Sequence, residues 1–300
     1  MSRFSTPAAA ARIRQRKTVD RVFVVLMGIA AFIAVSLLVI LLYRIGSSGM
    51  RYLGPDLINE FPGRRATGSG ARHALFGTLW IMSLTLLFTV PIGVGAAIYL
   101  EEFNRRDSWF KRIIQLNIAN LSGVPSIIYG MLGLAIFVPF VAVLAGDARS
   151  GKTLLAGALT MSLLSLPLVI MVAQEALKAV PSSLRDGSLA LGATRWQTIR
   201  RVVLPQATPG ILTGIILAAS RAIGETAPLI VVGAAVMVNS VPTGPFDSYG
   251  VLPLQVFNWA QRPQQDFKDL SASTIIVLMG ILISLNAIAI IMRMRAQRRA

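Results

Sequence analysis

Arg221 and Glu225 are the two charged residues in an otherwise uncharged run from Pro209 to about Val238. Four residues apart, they stack on one face of a helix. A guanidinium beside a carboxylate in such a run has two uses. It neutralises itself as an internal pair, or it receives an oxyanion in the planar, bidentate fork that Arg provides. A charge placed inside a long apolar helix is costly and normally faces a protein interior or an aqueous cavity. Thr226 and Pro228 follow directly and predict a kink near the pair.

Little else has the makings of a reactive centre. The chain has no cysteine, which removes disulfide frameworks, thiolate metal sites, iron–sulfur clusters and cysteine nucleophiles. Its one histidine, His73, stands beside Arg72 and supplies no acid–base or metal cluster. It reads as an interfacial residue of an outer loop. Gly146, Gly151, Lys152 and Thr153 satisfy the Gly-x-x-x-x-Gly-Lys-Thr pattern of phosphate-cradling loops. That pattern needs a strand before it and a soluble helix after it. Here it joins two apolar runs, and it reads as a short turn. Glu101 and Glu102 close another apolar run, as a solvated helix end or as a contact for a partner subunit. Glu175 is spaced to pair with Lys178.

The elements that must hold these residues are set by composition. The chain has 300 residues, a net charge of +16, 54% apolar residues and only 14% charged ones, and its mean hydropathy is +0.67. A soluble domain is about 25% charged, so a water-soluble enzyme is excluded. A helix needs about 20 mostly apolar residues to cross a bilayer. Six stretches qualify: Val22 to Tyr43, Ala74 to Leu100, about Val124 to Ala145, Thr153 to Gln174, Pro209 to about Val238, and Ser271 to Met292. The third is preceded by a polar stretch through Asn117, Asn120 and Ser122, which predicts a short interfacial helix. The fold class is all-α, a polytopic membrane protein with six transmembrane helices.

Six spans put both termini on one side. Nineteen of the 29 Lys and Arg residues flank that side, and eight flank the other. The positive-inside rule makes the richer side cytoplasmic. The basic residues are dispersed at helix ends, so the charge implies membrane lipid and not nucleic acid as the partner. Residues 1–21 form a basic cytoplasmic arm, expected to be disordered or lipid-associated up to Lys17. Residues 22–45 form a first anchor, too long in its apolar run for a cleavable signal. Residues 293–300 are a basic tail. The uncharged segment 248–261 is too short to span and contains Pro253, which predicts an interfacial or re-entrant piece on the outer face.

Between the fourth and fifth spans, Pro181 to Pro205 predicts two capped helices joined at a glycine. Ser183 and Asp186 have helix-start spacing, and Thr194 with Gln197 forms a second capping box. Gly192 takes the left-handed conformation that ends a helix. Pro205 starts the turn into the next span. A rigid, cationic, protruding elbow suits docking of a partner; an amphipathic loop lying on lipid is the alternative.

The spacing of this loop resembles the coupling loop of binding-protein-dependent ABC importers of type I. Asp186, Gly187 and Ser188 stand where that family has Glu-Ala-Ala; Gly192, nine following residues and then Val202-Val203-Leu204-Pro205 match the rest. Within those importers, Arg221 to Pro228 (Arg-Ala-Ile-Gly-Glu-Thr-Ala-Pro) resembles the A-type permease of the phosphate-specific transport system. So do Ser122 to Gly130, Glu175 to Pro181 and Leu191 to Ile199. The resemblance implies a type I permease fold over 71–292, with a coupling loop at 181–205. It implies that Asp186, Gly187, Ser188, Gly192, Thr194, Arg195, Trp196, Leu204 and Pro205 contact the ATPase. Arg221, Glu225 and Thr226 are implied to line the phosphate pathway. The implied partners are a C-type permease subunit, two ATPase copies that use ATP and magnesium, and a periplasmic or lipid-anchored phosphate-binding protein. The chain itself is expected to bind no cofactor or metal and to be no enzyme. The competing classes are the C-type permease, a sulfate or molybdate permease, and a secondary transporter, which needs no docking loop and usually carries charges in several spans. A membrane enzyme lacks its reactive cluster here.

Overall fold

The computed structural model describes residues 7–103, 109–146, 151–234, 238 and 240–297, with the backbone alone for 7–16, 18, 296 and 297. Arg3, Arg105, Arg106, Arg149, Arg298 and Arg299 of the charge census lie outside the described residues, as do 147–150 of the phosphate-loop pattern. All regular structure among the described residues is helical. Six helical stretches are long and apolar enough to cross a membrane.

The first span is α1 (Pro7–Gly49). It takes in much of the basic arm, whose backbone is helical from Pro7; of the two expectations, disordered or lipid-associated, the helix leaves the second standing. Ala, Arg, Gln and Lys there are good helix formers, and no Gly or internal Pro interrupts them before the apolar run. After α2 (Pro55–Asn59) comes α3 (Arg72–Ile98), which continues into a π-helical turn, Tyr99–Phe103. The interfacial helix is α4 (Trp109–Ser122). The third span is α5 (Ser126–Leu132), a π turn (Gly133–Phe137) and α6 (Val138–Leu144). The fourth is α7 (Leu154–Lys178). Then follow α8 (Ser182–Ala190), α9 (Arg195–Thr198), a π turn (Ile199–Val203) and α10 (Leu204–Gly224). The chain closes with α11 (Ala227–Val232), α12 (Leu252–Ala260) and α13 (Gln265–Gln297).

The bundle centres on α7, which packs most extensively on α3 and next on α10. Small residues let the backbones approach: a Cβ on Gly214 of α10 would lie 2.4 Å from Val172 of α7, and one on Gly93 of α3 would lie 2.8 Å from Val169. Helix α1 stands outside this core. The apolar window that qualifies it as a span is unburied by the chain. It is held to α13 at its C-terminal end, where Ser273 donates to the Gly49 carbonyl at 2.6 Å and Arg51, just beyond it, reaches Asp266 at 3.3 Å and Asp269 at 3.5 Å.

The same end of the bundle forms a second small core around Trp259, Leu252, Phe267 and Leu270. Segment 248–261 contributes the short, largely buried α12, which matches the expectation of a non-spanning piece. The loop before it caps α7, since Leu154 and Leu155 donate their amides to the Asp247 and Pro245 carbonyls at 3.0 and 2.8 Å. These bonds satisfy helix N-terminal donors that Thr153 leaves unmet. The closest approach is at Gly77, where a Cβ would sit 2.0 Å from the Gly250 carbonyl oxygen. His73 is corrected by this packing. It lies in the first turn of α3, fully buried, because the Ala71 and Arg72 amides tie the α2 loop over that helix end.

Candidate functional site

The elbow between α7 and α10 is built by local chemistry. Pro181 holds ψ at 137° and α8 starts at once at Ser182. Ser183 is thus inside the helix, and the expected Ser183–Asp186 cap does not form. At the other end Gly192 has φ +85°. Its amide donates to the Leu189 carbonyl at 3.0 Å, and that of Ala193 donates to Ser188 at 3.2 Å. Together these are the paired bonds of a Schellman stop. Thr194 then caps α9: its hydroxyl accepts from the Gln197 amide at 3.3 Å, and its own amide donates to the Gln197 carboxamide at 2.8 Å. The expected capping box is present. Ser188 and Thr198 close the elbow with hydroxyls 3.0 Å apart.

This geometry presents Asp186, Gly187, Gly192, Thr194, Arg195 and Trp196 outward, beside the bare Leu191, which is 91% exposed. Ser188 is half-buried against Thr198. Leu204 and Pro205 do not belong to the elbow's surface turn. They lie in an unbroken helical stretch from Arg195 to Gly224, so Pro205 starts no turn. The π turn at Ile199–Val203 absorbs it, since wider i to i+5 bonding relieves the missing Pro amide and its ring clash.

Beneath the elbow lies a charged network for which short-range spacing gave no cue. Glu101 accepts from Gln174 at 2.9 Å and meets Lys111 at 3.5 Å and Lys178 at 3.9 Å. Glu102 is 4% exposed. Its Oε1 accepts from Arg185 Nε at 3.1 Å and Nη2 at 2.8 Å. The same guanidinium donates to the Val180 and Leu177 carbonyls at 2.5 and 2.6 Å. Glu102 is therefore a buried partner of the elbow, and the half-buried Glu101 a partner of α7; the two acids are not a solvated helix end. The Glu175–Lys178 pair stands as expected at 2.9 Å.

At the opposite end of α10 the span breaks. The helix stops at Gly224, and Glu225 takes ψ 111°, which is extended. The Thr226-Ala227-Pro228 sequence restarts it as α11, with Pro228 in the first turn, where no amide is needed. Arg221 and Glu225 thus do not share a continuous helix; they face each other across its end, Nε to Oε1, at 3.5 Å. The Arg221 side chain is 56% exposed and that of Glu225 23%. They line a narrow cleft with Ser165 and Leu168 of α7. Thr226 is half-buried at the break. Two polar rungs brace α10 against the antiparallel α13: Ser220 to Asn286 at 2.8 Å, and Arg293 to Thr213 at 3.3 Å. Asn286, inside the sixth span, was the visible sign of the first rung.

A bundle of six spans with a capped elbow at one face and a charge pair at the break of the fifth span is the architecture of a membrane permease. Residues 89–299 match the model of the binding-protein-dependent transport system inner membrane component, and the chain belongs to that family. Members are transmembrane permease components of ABC importers, and ATP hydrolysis resides in separate subunits. The chain is 33% identical to the probable ABC transporter permease protein YqgI of Bacillus subtilis over 82% of this chain and 81% of that one. It is 34% identical to the phosphate transport system permease protein PstA 1 of Mycobacterium tuberculosis (strain H37Rv), over 77% of this chain and 71% of that one. Among solved structures, a bacterial alginate ABC transporter crystallised with its alginate-bound periplasmic protein superposes with a TM-score of 0.64. The identity is 16%, and the match covers 91% of this chain and 94% of that one. It supports the fold alone.

Proposed function

We propose that this chain is the A-type permease subunit of an ATP-driven importer of inorganic phosphate. The observation that carries this reading is the Arg221–Glu225 pair at the break of the fifth span, within the segment Arg-Ala-Ile-Gly-Glu-Thr-Ala-Pro. Relatives named as phosphate transport permeases support it. A half-exposed guanidinium within a span faces a pathway or a partner, not lipid. Its planar fork suits a phosphate oxyanion. Glu225 holds the Nε edge and is the competing partner that retakes Arg221 when phosphate leaves; Thr226 borders the same break.

The rest of the reading follows from the elbow and the charge distribution. A C-type permease completes the pathway, and two ATPase subunits dock on the face carrying Asp186, Leu191, Arg195 and Trp196. ATP and magnesium bind to those subunits, and none to this chain. A phosphate-binding protein delivers the ion from outside. Both termini are cytoplasmic in the bacterial inner membrane, on the elbow's side.

The test is uptake of radiolabelled phosphate in a host lacking the gene, complemented with wild type or Arg221→Ala at matched membrane levels. Wild type restores uptake and the variant does not. Restoration by both removes Arg221 from the pathway. Failure of a wild-type protein that is present in the membrane overturns phosphate, and sulfate and molybdate are then assayed.

A further inference from the structure

Helix α8 carries one edge of the proposed ATPase-docking surface, at Asp186, yet its own attachment to the membrane core is unusual. Its one buried residue is Arg185, 7% exposed. A docking helix of this length is ordinarily seated on apolar side chains. Here Leu184 and Leu189 point outward, and the inward side chain is a cation.

The guanidinium is held from two directions. Two of its nitrogens grip Glu102, in the π turn that ends the second span. Two hydrogen bonds go to the Leu177 and Val180 carbonyls, at the end of the fourth span. Apolar contacts are non-directional and permit a helix to slide. A fork of charge-assisted bonds fixes both position and orientation. A buried ion pair is a poor source of net stability compared with apolar packing, but losing one partner is heavily penalised. The two ends are therefore constrained to move together. Besides this pin, α8 is tied to the core by the Ser188–Thr198 hydroxyl contact at 3.0 Å and by the chain itself, back into α7 and forward through the Gly192 elbow into α9.

We infer that Arg185 and Glu102 form a transmission joint: they pass movement of the docked elbow to the inner ends of the second and fourth spans, alongside the route through α10. They are positioning residues and touch neither phosphate nor nucleotide. The inference rests on the elbow being the ATPase-docking surface.

The experiment uses the whole complex, reconstituted in liposomes with its ATPase, partner permease and binding protein. Phosphate uptake and ATP hydrolysis are measured together for wild type, Glu102→Gln, Arg185→Lys and the Arg185→Gln/Glu102→Gln double variant. Glu102→Gln keeps an acceptor and the side-chain volume, so it is the mildest way to break the pair, and the yield of assembled complex is measured for every variant. With the ATPase still bound, uptake per ATP hydrolysed falls roughly five-fold or more in each single variant, the scale of an ordinary coupling energy. The double variant is no worse than the singles, because both ends belong to one joint. Wild-type uptake per ATP in an intact Glu102→Gln complex overturns the joint. Loss of the ATPase from the Glu102→Gln complex also overturns it, since the pair would then serve docking alone. A separate Leu191→Asp/Trp196→Ala variant tests the underlying premise. ATPase retained by that variant at wild-type yield refutes the docking surface itself, whatever the joint does.

Discussion

Gly192 offers the cleanest quantitative test of the elbow. Its φ is +85°, and a Cβ built there meets nothing within 4 Å. Any cost of substitution is therefore backbone strain, free of steric clash. Holding an L-residue in the left-handed region costs roughly 1–2 kcal/mol, with Ala near the low end and β-branched Val near the top. Gly187, five residues earlier in the interior of α8, is an internal control. It also has open space around its Cβ, but no positive φ. Ala there should stabilise α8 by about 1 kcal/mol, the helix-propensity difference. The strain reads out in the amides that close the elbow, those of Gly192 and Ala193 donating to Leu189 and Ser188. By hydrogen-exchange mass spectrometry of the reconstituted complex, exchange across 188–193 should accelerate about 5-fold for Gly192→Ala and approach 30-fold for Gly192→Val. Gly187→Ala should slow it. Equal exchange in wild type and Gly192→Val, or a loss of protection in Gly187→Ala matching that in Gly192→Ala, refutes the left-handed stop as the element that sets the elbow.

Two further substitutions probe the fold on either side. Thr194→Ala removes the acceptor for the Gln197 amide and should destabilise the start of α9 by about 1 kcal/mol, seen as faster exchange at 195–198 with the rest of α10 unaffected; unchanged protection there means the capping box is idle. Gly77→Ala places a Cβ 2.0 Å from the Gly250 carbonyl, backbone against helix with no flexible side chain to yield. Overpacking of this kind costs about 1–3 kcal/mol, so the thermal midpoint of the purified complex should fall; a midpoint equal to wild type contradicts the close approach of α3 to the loop before α12.

The six spans were legible because uncharged length is a one-dimensional property. The Schellman stop at Gly192 and the box at Thr194 were legible because their partners lie within five residues. The Arg221–Glu225 pair was legible too, although helix periodicity put it on a continuous face and the structure puts it across a break. What escaped was long-range pairing. Arg185 and Glu102 are 83 residues apart, and each looks like an ordinary charge at a helix end until the C-terminal ends of α3 and α7 are brought together. Pro205 misled for a related reason. Its effect on the backbone depends on the π turn before it, and no residue pattern announces that turn. His73 was misplaced by its neighbour Arg72, because the loop that buries it is fixed by backbone bonds to Leu57 and Glu60.

The absorption of Pro205 has a mechanical consequence. Because the helix runs unbroken from Arg195 to Gly224, the elbow and Arg221 are the two ends of one rod about 39 Å long. Such a rod is a lever. Pivoting it by about 5° at the elbow sweeps its far end through about 3 Å, close to the 3.5 Å that separates Arg221 from Glu225. Glu225 lies just past the rod's end, in extended backbone, and need not swing with it. A rotation of that size works against the Ser220–Asn286 rung beside Arg221, and it is large enough to open or close the charge pair.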